Sequence, residues 1–236
     1  MIYVSHDTLN ILYFVTIILF FTSLLVQALL QSKMNKYAET QLKSGKSGAE
    51  VAAEMLKDNN IYDVEILEVD GILSDHYNPI NKTLNLSSAV YNGVNIGAAA
   101  VAAHECGHAI QHNRGYFFLF LRSMMVPLAS FSSKFLNIII IIGILMINHS
   151  LVPLEIGAIL FAVTTLFSII TLPVEFNASS RALEWIKDNK IADEDEMKSA
   201  KGALRLAALT YLLAAIISLI QLLRIFGFIN SRRRDD

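Results

Sequence analysis

Leu9 to Leu30 run for about 22 residues without a charge. At 1.5 Å per residue such a helix crosses the roughly 30 Å hydrocarbon layer of a bilayer. Further apolar stretches follow at Phe135–Ile147, Ile156–Val174 and Leu206–Leu223. Phe117–Ser130 is also apolar but holds Arg122 and Pro127, which suits an interfacial position. Only helices and closed barrels satisfy their backbone in lipid. The expected fold is therefore a mainly α membrane protein with three to four hydrophobic helices. Of its 236 residues, 54% are hydrophobic and only 17% charged. The net charge of −2 gives no reason to expect nucleic acid as a partner.

The hydropathy divides the chain into five parts: an N-terminal anchor (1–30), a polar segment (31–115), a membrane hairpin (116–174), a second polar segment (175–205), and a hydrophobic helix with a basic tail (206–236). No basic residue precedes the first run and no small-residue cleavage site follows it, so it reads as a retained anchor. Lys33, Lys36, Lys43 and Lys46 follow it closely. The positive-inside rule then places the polar segments in the cytoplasm. The loop Asn148–Glu155 has no Lys or Arg, as an outer loop should. The last run is ambiguous: a full crossing leaves Arg232, Arg233 and Arg234 outside, against the rule.

Within the first polar segment, Ser47-Gly48-Ala49-Glu50 has the form of a capping box. Val51, Ala52, Met55 and Leu56 then share a helical face, and Asn59-Asn60 ends the helix. Asp63–Val69 and Lys82–Leu86 read as strands, separated by an Asp70-Gly71 turn and a polar loop at Ser74–Pro79. Lys82–Leu86 is a candidate exposed edge for an extended peptide; the alternative is an internal strand covered on both sides. Asn95 is placed to cap the alanine-rich helix that follows.

That helix carries His104-Glu105-Cys106-Gly107-His108. Four residues apart, His104 and His108 leave one face and can converge on Zn²⁺. Glu105 lies about 100° further round from His104, beside the metal, where it can reach a metal-bound water without being a ligand. Cys106, the sole cysteine, excludes an intrachain disulfide and fits a small buried filler.

Two histidines need a third ligand. Glu175, where the chain leaves the third apolar run, fits best, with Ala178 and Ala182 giving its helix a small face. His112 continues the row but lies about 12 Å from His104 along the axis, too far to share one ion. His76 reaches the site only if its loop folds over. His76, Tyr77 and Arg181 are candidates to bind substrate or stabilise the transition state, and they remain unranked.

These residues carry a resemblance. Ser47–Ala52, Ser74–Pro79, Ala102–Gln111, Leu172–Ser179 and Ala208–Tyr211 resemble the YugP-like neutral zinc metallopeptidases of bacterial membranes. More distantly the chain is similar to membrane peptidases of the HtpX and CAAX-prenyl protease type. Their Glu-x-x-Ala-Asp element supplies the third zinc ligand; Glu175-Phe176-Asn177-Ala178-Ser179 aligns with it and implies that role for Glu175. Ser179 stands where the wider group has Asp. The resemblance implies hydrolysis of peptide bonds and supplies no substrate; joined to the zinc-binding spacing and the lysine placement, it leads to an expected small cytoplasmic α+β gluzincin-like domain with a Zn²⁺ cofactor, acting at the cytoplasmic membrane surface. Glu105 would act on a zinc-bound water, and peptides or proteins, membrane proteins among them, would be substrates. A non-catalytic zinc-binding membrane scaffold or chaperone-like module is the rival reading.

Overall fold

A computed structural model describes residues 6–71 and 73–235. The order is α1 (His6–Ala38), α2 (Gly48–Asp58), β1 (Glu65–Val69), β2 (His76–Asn78), β3 (Thr83–Ser87), α3 (Ser88–Tyr91), α4 (Ile96–Asn113), α5 (Phe117–Leu145), α6 (Val152–Asp188) and α7 (Glu194–Asp235). The protein is mainly helical, with one small sheet. Among the described residues, four helices are long and apolar enough to cross a membrane: Asn10–Ala38, Phe117–Leu145, Val152–Asp188 and Glu194–Arg233. The Phe117–Ser130 stretch, read as interfacial, is continuous with Phe135 in α5 despite Pro127. Pro173 is likewise accommodated inside α6.

The chain divides into two compact units. Within the described residues, one takes the chain up to Leu25, Leu121–Thr171 and the chain from Thr210 onward. Here α5 and α6 approach closely at glycine: a Cβ on Gly143 would sit 2.9 Å from the Leu154 nitrogen. Small residues admit such contacts between membrane helices, where packing rather than hydrophobicity drives association.

The other unit takes Val26–Phe120 and Leu172–Leu209. Its core is built on the apolar face of α2, where Val51, Ala52 and Met55 are fully buried, packed with Leu84 and Leu86 of β3 and the alanines of α4. The Ser47–Glu50 capping box is formed in both directions. Asn60, at a φ of 57°, takes the left-handed conformation that ends α2, as the Asn-Asn pair suggested. Asn95 caps α4, its side-chain oxygen accepting from the Ala98 N–H at 2.8 Å.

The sheet order is β1-β3-β2. β1 pairs with β3 in parallel, Glu65 opposite Thr83 through Val69 opposite Ser87. β2 pairs with β3 antiparallel, His76 opposite Asn85 and Asn78 opposite Thr83. Of the two alternatives the sequence left for Lys82–Leu86, an exposed edge or an internal strand, the structure has the internal strand. Thr83–Ser87 is the central strand, bonded on both sides, and the edges are β1 and β2, the latter inside the stretch read as a polar loop. Asn78 explains why a three-residue strand can turn back there. Its side-chain oxygen accepts from the Ile80 N–H at 2.9 Å, an Asx turn closed by Lys82 at a positive φ of 53°.

Candidate metal centre

α4 and α6 meet backbone to backbone where chemistry is expected. A Cβ on Gly107 would lie 2.7 Å from the Ala178 carbonyl oxygen and 2.9 Å from its Cα. Neither atom can swing away as a side-chain tip would. Ala178 and Ala182 are fully buried on the facing side of α6. This close approach draws the α4 imidazoles and the α6 carboxylate into one place.

Glu175 Oε2 lies 3.3 Å from His104 Nε2 and 3.8 Å from His108 Nε2. Tetrahedral zinc with bonds near 2 Å spaces its ligand atoms about 3.3 Å apart, so this set has the right dimensions. The imidazole centroids are 4.8 Å apart at 82°, so the rings converge rather than stack. His104, Glu105 and His108 also form a group whose potential ligand atoms lie within 4.8 Å of one another. Glu175 is only 3% exposed. A carboxylate so buried is costly unless a cation faces it, and a divalent ion held between it and the imidazoles would meet that need.

The outer ring nitrogens are held from behind. His104 Nδ1 lies 3.1 Å from Ser179 Oγ, and His108 Nδ1 lies 3.1 Å from Gln111 Oε1. Gln111 fixes the second arrangement. Its Nε2 donates to the Val174 carbonyl at 2.8 Å and to Asn177 Oδ1 at 3.0 Å. The amide nitrogen must face the carbonyl, which can only accept. Its oxygen therefore faces His108, Nδ1 carries the proton, and Nε2 presents a lone pair toward Glu175. Ser179 thus makes with a hydroxyl the histidine contact expected of an Asp there. Asn177 backs the other histidine through Gln111. Gln111 was absent from the sequence-derived candidates; its complete burial, which marks it out, is visible only in the structure.

Glu105 leaves α4 on the adjoining face. Its Oε2 accepts the backbone N–H of Tyr77 in β2 at 3.1 Å. Some solvent reaches the side chain, yet protein surrounds the carboxyl. Burial pushes its pKa up to about 7, opposed by charge on His104 and reinforced by Glu175. Cys106 is buried as expected, its thiol donating toward the Ala52 carbonyl, and burial holds its pKa well above the usual thiol range.

The remaining candidates sit differently. Tyr77 reaches the centre through its backbone, while its hydroxyl lies 2.8 Å from His112 Nδ1. Burial, with Asp63 adding to it, pushes the Tyr77 phenol up to about 12. His76 Nδ1 faces the Ser74 carbonyl at 2.8 Å and its Nε2 faces the Asn85 amide at 3.3 Å, so both ring nitrogens are turned to the loop and β3. Arg181 donates from Nε to Asn177 Oδ1 at 2.8 Å. It lines a cavity of about 190 Å³ with Arg114, Glu184 and Trp185, to which His104, His108 and Glu175 do not contribute.

The family described as "Putative neutral zinc metallopeptidase" matches residues 12–230. The chain is also 40% identical over 220 residues to the Bacillus subtilis (strain 168) protein named "Putative membrane protease YugP", covering 93% of this chain and 97% of that one. No solved structure matches.

Proposed function

The chain belongs to this family of neutral zinc metallopeptidases, and from that premise we propose that it is a multi-pass membrane endopeptidase that hydrolyses peptide bonds at the cytoplasmic membrane surface. One observation carries the reading. A single oxygen of Glu175 faces both Nε2 atoms at 3.3 and 3.8 Å, while Glu105 stands beside the set, held by a strand backbone.

His104 Nε2, His108 Nε2 and Glu175 would hold Zn²⁺, as in a gluzincin. When bound, zinc supplies a Lewis acid that lowers the pKa of water and polarises a carbonyl. Glu105 is the general base. Tyr77 N–H holds one carboxylate oxygen, and the other takes the proton of the attacking water and later delivers it to the leaving amine. Burial suits Glu105 to both halves of that exchange, because a carboxyl poised near neutrality both accepts and releases a proton readily. Ser179 and Gln111 orient the imidazoles.

The cytoplasmic placement rests on the lysines that follow the first span, Lys33 to Lys46. Glu105→Gln keeps the imidazoles and Glu175 but removes the base. It is expected to retain zinc and lose cleavage of an unfolded protein substrate. Cleavage by that variant at the wild-type rate would refute Glu105 as the base, whereas a zinc-loaded wild type without chelator-sensitive cleavage would favour a zinc-holding scaffold without turnover.

A further inference from the structure

The unit that contains Leu121–Thr171 has a cavity of about 450 Å³. Asn10 and Tyr13 of α1, Leu154 of α6, and Gln221, Arg224 and Phe228 of α7 line it. The Arg224 guanidinium carbon stands 4.9 Å from the Tyr13 ring centroid. Among the described residues, no carboxylate lines the cavity and none accepts a hydrogen bond from Arg224. Glu155, next in sequence to Leu154, is occupied by Arg233 at 2.7 Å. A second cation, Arg232, lies over the ring of Phe228, its guanidinium carbon 5.9 Å from the centroid.

An arginine within an apolar helix bundle is costly, and such residues pair with something. The tyrosine face offsets part of that cost but leaves the guanidinium's planar fork of N–H donors to be satisfied. A phosphate matches that fork in two parallel charge-assisted bonds. The Gln221 and Asn10 amides supply further hydrogen bonds. Leu154 and Phe228 offer apolar walls, and the exposed Phe14 and Phe226 lie beside lining residues in sequence, giving acyl chains a surface to follow. Every cation beyond residue 205 is an arginine. That choice fits bidentate phosphate recognition better than solvation alone, for which lysine serves as well.

We propose that this cavity binds the headgroup of an anionic phospholipid, with the phosphate on Arg224 and the acyl chains along the bundle surface. The site gives Arg224, a cation within an apolar helix, an anionic partner. It also stands independently of the peptidase reading.

The test uses the full chain in nanodiscs made from equal amounts of phosphatidylglycerol and phosphatidylcholine, with retained lipid measured by native mass spectrometry. The wild type is expected to retain phosphatidylglycerol in about tenfold excess, the scale of one or two charge-assisted bonds. Arg224→Gln should abolish most of that excess. Gln221→Trp should do the same by filling the cavity while keeping every charge. An unchanged helical circular dichroism spectrum and gel-filtration profile identify variants that remain folded. Equal retention of the two lipids by the wild type, or an excess undiminished in both folded variants, would overturn the proposal. So would release of the retained lipid by millimolar inorganic phosphate, which would assign the cavity to a soluble anion.

Discussion

Gln111 is buried completely, yet it is polar, and all its amide bonds run toward the imidazole–carboxylate cluster or the helix that carries Glu175. Gln111→Leu keeps the volume but releases His108 from its tautomer and strands the Val174 and Asn177 contacts. Partners of this kind are worth about 10–100-fold in metal affinity. The expected outcome is a zinc dissociation constant raised by that order, measured by competition with a chelating dye. An unchanged constant would show that the amide is only filler. Glu105 offers a second test, in metal-free protein. Its folded pKa, near 7, stands above the ordinary 4.5. The folded state therefore holds the proton more tightly than the unfolded state. Stability from this group is fully present below about pH 4.5 and is lost as pH rises through about 7, a change on the order of 3 kcal/mol. Glu105→Gln should lack that loss. Its advantage in thermal unfolding over the wild type, both in excess chelator, should grow from pH 4.5 to pH 7. At this scale the sequence was readable where spacing fixes direction, as with His104 and His108. It was silent on Gln111 because a buried hydrogen-bond partner leaves no periodic trace.

The decisive contact between elements is α4 against α6 at Gly107. Gly107→Ala places a methyl group 2.7 Å from a backbone oxygen, and the helices must part. Overpacking of this kind costs about 1–3 kcal/mol. A lower melting temperature together with weakened zinc retention is expected; a loss of stability with zinc binding intact would mean that the contact does not set the ligand spacing. Ser47→Ala, which removes half of a formed capping box far from the cluster, should cost about 1 kcal/mol and leave zinc binding unchanged. Helix starts and faces were legible because caps and apolar spacing are local. Sheet order was not. Thr83–Ser87 reads equally well as an edge or as a centre, and only pairing with both β1 and β2 distinguishes the two. β2 itself is three residues in a polar stretch, held by an Asx turn and by Tyr77 meeting Glu105, which lies 28 residues later.

For the whole molecule, hydropathy read three to four apolar helices, since lipid leaves few other ways to satisfy a backbone; it split off Phe117–Ser130, which the structure joins to Phe135 in α5. The side on which each polar segment lies rests on lysine placement alone. Because Cys106 is buried, single cysteines can report it against a quiet background. A cysteine at Tyr62, which is 76% exposed, should resist a membrane-impermeant thiol reagent in intact cells and react after lysis. A cysteine at His149, in the loop between α5 and α6, should react in both. The reverse pattern would place the peptidase unit outside. The central claim is that α4 and α6 together hold one zinc ion, and metal content tests it most directly. Wild-type protein, purified without chelator, is expected to carry one zinc per chain, and Glu175→Ala, purified alongside and equally folded, to have lost most of it. Full zinc occupancy in that variant would contradict the account.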